Sequence, residues 1–131
     1  MSKHCSLQET AALLQAANKI VLCSHVSPDG DTLGSALSLM KALQKLGKDV
    51  IVTVDDEISK VYKFLPGIES FVRFQNDERI AADLLVVIDA SSLDRAGNVS
   101  QCVNAPKTLN IDHHISILIQ LRLLLVKLCM S

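Results

Sequence analysis

A chain of 131 residues has room for one domain with a hydrophobic core, since domains most often run to roughly 100–150 residues and two would be crowded. Lys and Arg number 13 against 14 Asp and Glu, a formal net charge of −1, so nucleic acid is not held here by a global positive field and any phosphate recognition must be local. The cysteines Cys5, Cys23, Cys102 and Cys129 form no C-x-x-C pair, which suits buried free thiols in a reducing, cytoplasmic compartment.

Residues 1–9 contain no apolar h-region, so no secretory leader is expected. Ser6-Leu7-Gln8-Glu9 fits a capping box, in which hydroxyl and carboxylate satisfy the orphan N–H groups of a helix starting through residues 11–17. Residues 20–24 are a short, continuous apolar run of the kind carried by a parallel strand covered on both faces. After a Pro28-Asp29-Gly30 turn, Leu33, Ala36, Leu37, Met40, Leu43 and Leu46 recur at helical spacing, and Gly47 stands where a C′ residue would end the helix. Gly34 reads as a small residue that lets this helix start approach the sheet, with N–H groups available to an anion.

Residues 50–54 are β-branched and predict a second strand, followed by Asp55-Asp56-Glu57 as a solvated loop. Strand, helix, strand implies a right-handed crossover. Residues 59–64 predict a short helix stopped before Pro66-Gly67, residues 68–74 a brief strand, and Tyr62 and Phe64 are expected to pack under a loop. Residues 84–88 are the clearest buried strand, and residues 108–111 a shorter one that runs into Asp112. The fold class is therefore α/β, a mostly parallel sheet flanked by helices. Residues 115–130 are aliphatic but interrupted by Ser116, Gln120, Arg122 and Lys127, and fall short of the roughly 20 residues of a membrane helix. Such a segment needs cover, so self-association into a homo-oligomer through it, or low solubility, is expected.

The chemistry gathers at the strand ends. Ser24-His25 is followed by Asp29 and Asp31, Ile88 by Asp89, and Ile111 by Asp112-His113-His114. In an open α/β sheet the carboxyl ends of parallel strands line one crevice, where residues remote in sequence meet. Asp29, Asp31, Asp89 and Asp112 brought together would repel one another unless cations lay between them. Carboxylates mixed with imidazoles favour a hard or borderline divalent ion, Mn²⁺ first, Mg²⁺ or Co²⁺ next, with Zn²⁺ also compatible. The donors exceed what one ion needs, which implies two. A pair of ions about 3.5–4 Å apart activates water and neutralises phosphoryl oxygens, the chemistry of phosphate-ester hydrolysis.

Residues 25–35, His-Val-Ser-Pro-Asp-Gly-Asp-Thr-Leu-Gly-Ser, resemble the first motif of the DHH phosphoesterases; Asp89 after its apolar strand resembles the second, and Asp112-His113-His114 is similar to the triplet that names the family. The Gly34-Ser35 version of the first motif is most similar to the bacterial members that degrade short oligoribonucleotides and dephosphorylate 3′-phosphoadenosine 5′-phosphate (pAp). The resemblance runs from about residue 20 to residue 115. It implies that His25 and Asp29 bind one ion, that Asp31 and His113 bind the other, and that Asp89 bridges them. It implies that His114 faces the scissile phosphate as a hydrogen-bond or proton donor, that Asp112 orients the triplet from behind, and that Ser91 and Arg95 contact phosphate. The substrate is then short single-stranded RNA or a nucleotide, without a membrane partner.

The same resemblance leads one to expect a further acidic ligand on a following helix and a C-terminal substrate domain. Residues 116–131 supply neither, and divide the chain into a partial DHH domain, 1–115, and an apolar tail of frameshift or truncation origin. Two rivals follow: a manganese-dependent inorganic pyrophosphatase of the same superfamily, and a non-catalytic metal-binding remnant. Taken singly the motifs have plainer explanations, Asp29-Gly30-Asp31 as a turn, Asp89 as a loop acid, His113-His114 as a surface pair. Their occurrence in order at successive strand ends is what joins them.

Overall fold

The computed structural model describes residues 7–24, 30–75, 77–88 and 99–111. Helix α1, Leu7–Ala16, covers residues 11–16 of the expected 11–17 and stops one residue short, with Glu9 in its first turn, where a carboxylate suits the helix dipole. Ser6, the other half of the capping box, lies outside the described residues. Ala11, Leu14 and Ala17, three residues apart, are all buried and so lie on the face that meets the sheet.

Strand β1, Lys19–Ser24, leads to helix α2, Gly30–Lys45, and then to strand β2, Asp49–Val54. The end of α2 follows from Gly47. Its φ of 81° lets the Gly47 N–H reach the Gln44 carbonyl at 3.0 Å and the Lys48 N–H reach that of Leu43 at 3.1 Å, the paired bonds of a Schellman cap. After β2 the chain makes a single 3-10 turn, Lys60–Tyr62, where residues 59–64 had predicted a short helix; the Ser59 hydroxyl accepts from the Val61 N–H at its start. Residues 68–74 are only in part a strand. A 3-10 turn, Ile68–Ser70, comes first, entered through Gly67 at φ 88°, and strand β3 is confined to Phe71–Val72.

The remaining elements are β4, Ile80–Ala81; β5, Leu84–Ile88; the four-residue helix α3, Val99–Cys102; β6, Val103–Asn104; and β7, Lys107–Ile111. Strands β5 and β7 match the sequence expectation to within a residue. The two-residue strands β4 and β6, which pair with each other, and α3 carry too few residues for any periodicity to announce them.

The main sheet has the order β3-β2-β1-β5-β7, and its strand pairs are parallel. Alternate residues of each strand face opposite layers. Ile20, Leu22, Val52, Val86 and Ile88 join α1 and α2 in one core, while Val21, Cys23, Leu85 and Val87 join Phe74, Val99 and Cys102 in the other. Burial on both faces explains why β1 and β5 read as unbroken apolar runs. At the amino end of the sheet the Asp83 carboxylate accepts from the N–H groups of Asn18 and Lys19, each at 2.9 Å, and these bonds hold its pKa below the usual value. Among the described residues no helix is long and apolar enough to cross a membrane, and the apolar tail lies outside them.

Candidate metal centre

The strand order fixes where a ligand should sit. From β1 the chain moves outward to β2 and β3, then returns to place β5 on the other side of β1. The order therefore reverses between β1 and β5, and a parallel α/β sheet opens its binding crevice at the carboxyl ends flanking such a switch point. The three strands that lead to the ligand motifs end level with one another, with Ser24 opposite Ile88 and Ile88 opposite Ile111.

The residues that follow these ends, His25 and Asp29, Asp89 with Ser91 and Arg95, and Asp112, His113 and His114, lie outside the described residues. The backbone of Asp31 falls in the first turn of α2, a helix packed on β1, β2 and β5. Among the described residues alone, no three His, Cys, Asp or Glu side chains assemble into a metal site.

One described atom bears directly on what the crevice holds. Ser24 is fully buried at the last position of β1, and among the described residues its Oγ has no hydrogen-bond partner. A buried hydroxyl without a partner costs about 1–3 kcal/mol, so an orphan at the switch point calls for a polar neighbour in the crevice. Donors of the type carried by His25, Asp29, Asp31, Asp89 and His113 fit that requirement and a hard or borderline divalent cation.

The surroundings refine three further expectations. No described atom lies within 4 Å of where a Gly34 side chain would start; the close approach is at Gly30, where a Cβ would stand 3.2 Å from Cε1 of Tyr62. Tyr62 is thus half-buried against the start of α2, and Phe64 does not pack under a loop but is 75% exposed, because Leu65 and Ile68 are the residues of this segment that reach the core. Asp55, at the end of β2, is more than a solvated loop acid, since Arg73 approaches it with Nε 3.6 Å from Oδ1. Asp56 and Glu57 line a shallow open depression with Ile58, Ser59 and Lys60.

Cys23, one residue before Ser24, is core filling as its apolar run implied, and its thiol donates to the Ser24 carbonyl at 3.2 Å. Burial, reinforced by the Asp55 carboxylate, pushes this thiol from 9.0 up to about 12. The folded thiol stays protonated where the unfolded one ionises, so unfolding above pH 9 releases a proton. The contribution is intact below pH 9 and is lost between there and about pH 12, by up to about 1.4 kcal/mol per pH unit. Urea midpoints are therefore expected to fall more steeply over that interval for the wild type than for Cys23→Ala. Parallel slopes would refute the buried thiol's part in it.

Comparison with known proteins accords with this geometry. Residues 19–123 match the DHH family, N-terminal domain. The chain is 35% identical over 98 residues to a bifunctional oligoribonuclease and PAP phosphatase of Thermus thermophilus, an alignment covering 72% of this chain and 28% of that protein. It superposes with a TM-score of 0.71 and 29% identity on the crystal structure of an exopolyphosphatase-related protein from Bacteroides fragilis, covering 88% of this chain and 37% of the other. The chain thus spans about a third of the length of each.

Proposed function

Because the chain belongs to the DHH family, whose N-terminal domain it matches over residues 19–123, we propose that it carries the metal-holding part of a phosphoesterase acting on short oligoribonucleotides and pAp. The observation that carries this reading is the level ending of β1, β5 and β7 at a switch point, each strand running in sequence into one of the family's motifs. The Thermus thermophilus relative, named for both activities, supports the choice of substrates.

On this reading His25 and Asp29 would hold one divalent ion and Asp31 and His113 a second, with Asp89 shared between the two sites and Mn²⁺ preferred over Mg²⁺ or Co²⁺. Bound there, the metal supplies an activated water and charge neutralisation for the phosphoryl oxygens. His114 donates a proton to the departing oxygen, Asp112 fixes the orientation of the triplet, and Ser91 and Arg95 hold phosphate oxygens.

A second reading has its own support. The Bacteroides fragilis neighbour is titled as exopolyphosphatase-related, which favours a phosphoanhydride substrate, as the inorganic pyrophosphatase alternative also would. Purified chain incubated with Mn²⁺ and, in parallel, pAp, a diribonucleotide, pyrophosphate and polyphosphate separates them. Weak release of phosphate from pAp and of mononucleotides from the dinucleotide, abolished by EDTA, is expected, because residues 116–131 do not supply the further acidic ligand. Faster release from either anhydride would overturn the substrate class, and Mn²⁺ binding without turnover of all four would favour the non-catalytic metal-binding rival.

A further inference from the structure

Gly30 has no need of glycine on conformational grounds, since the described glycines with positive φ are Gly47 and Gly67. What crowds a side chain there is the Tyr62 ring, with Cε1 and Cδ1 3.2 and 3.7 Å from the position a Cβ would take, so that the ring would have to give by a few tenths of an ångström. Gly30 is the first residue of α2 and stands between Asp29 and Asp31 in sequence. The backbone that carries the ring is itself held in place. Tyr62 closes the turn begun at Ser59, its N–H donating to the Ser59 carbonyl at 3.1 Å, and its own carbonyl accepts from Leu65 at 3.0 Å. Leu65 and Ile68 pack on the core, and a Cβ at Gly67 would stand 3.5 Å from Leu37 and 3.8 Å from Met40. The segment after β2 therefore lies along α2 and touches it at two places, the Tyr62 ring on the first residue and Gly67 two to three turns further on.

We propose that Tyr62 is a positioning residue of the metal centre: its ring, seated on Gly30, sets the stand of the first turn of α2, whose backbone carries Asp31. The inference rests on the reading of Asp31 as a metal ligand. It needs no contact between Tyr62 and metal or substrate, since groups that only orient ligands typically change affinity by 10–100-fold when removed.

The composition provides the probe. The chain has one Tyr and no Trp, so its near-ultraviolet emission reports Tyr62 alone. Mn²⁺ titration of the full chain is followed by that emission and, in the same samples, by the electron paramagnetic resonance of free Mn²⁺. Saturable quenching in step with Mn²⁺ uptake is expected, and uptake without any change in emission would overturn the proposal. By resonance alone, Tyr62→Phe should bind within about twofold of wild type, whereas Tyr62→Ala should weaken Mn²⁺ binding about tenfold. Gly30→Ala should weaken it similarly by displacing the ring, yet add nothing in the Tyr62→Ala background, where the space is free. Wild-type affinity in Tyr62→Ala, or full additivity of the two substitutions, would sink the inference while leaving the metal reading intact. Absence of Mn²⁺ binding by the wild type would instead remove the metal reading and this inference with it. If Tyr62→Ala fails to fold, the wild-type emission titration and Gly30→Ala decide.

Discussion

Replacing Asp89 by alanine is expected to reduce Mn²⁺ affinity at least about a hundredfold, against a loss of about tenfold for Asp112→Ala. The difference follows from position. Asp89 comes directly after Ile88 in β5, the strand that flanks the switch point beside β1, and on the proposed reading its carboxylate serves both ions. Asp112 follows the edge strand β7 in sequence and, on the same proposed reading, acts only by orienting the histidines after it. The metal-free protein should respond in the opposite sense. A carboxylate removed from a group of four relieves mutual repulsion, so in EDTA the Asp89→Ala melting temperature should equal or exceed that of the wild type. Calorimetry with Mn²⁺ and thermal melts in EDTA measure the two effects. Equal affinity losses for the two variants would contradict the bridging assignment, and a loss confined to stability would contradict the metal reading itself.

Leu22→Ala is expected to cost about 2–5 kcal/mol of folding free energy, a large share of the roughly 5–15 kcal/mol that holds a domain together. Leu22 is fully buried at the centre of β1, opposite Val52 of β2 on one side and Val86 of β5 on the other. Its loss leaves a cavity where the helical layer meets the middle of the sheet, two residues before Ser24. Phe64→Ala, which truncates a larger side chain that is 75% exposed, should change stability by no more than about 0.5 kcal/mol. Urea denaturation of both variants tests the pair. A change under about 1 kcal/mol for Leu22→Ala, or a larger one for Phe64→Ala, would mean that the sheet interior is not packed as described.

Legibility in the sequence tracked the strength of the local signal. Strands β1 and β5 are readable because burial on both faces leaves an unbroken aliphatic run, β2 because its residues are β-branched, β7 because the buried Leu109 and Ile111 lead into Asp112, and α2 because its apolar residues recur at helical spacing and Gly47 ends it. The segment after β2 was read too regularly. Val61 and Phe64 there are exposed large hydrophobics, at 68% and 75%, so apolarity in a short stretch did not imply burial. Among the described residues the close approach falls at Gly30 and not at Gly34, because which glycine meets a neighbour depends on a ring brought in from 32 residues further along the chain. The ligand residues other than the backbone of Asp31, and the apolar tail, lie outside the described residues, so their assignments stand as proposals.

The sequence by itself determined the α/β class, the helix and strands that matter, the order of the ligand motifs and the family they belong to, because each is written in residues near one another along the chain. Only the tertiary structure decided that β5 returns to lie beside β1 and not beyond β3, and hence that the switch point falls where Ser24 stands opposite Ile88. The same holds for the Ser24 hydroxyl, without a partner among the described residues, for the Asp55–Arg73 pair and for the seating of Tyr62 on Gly30. Periodicity records which face of an element is covered, not which element covers it. Strand order is set by how α1, α2 and the strands together bury the most apolar surface, a property of the whole chain that no local pattern carries.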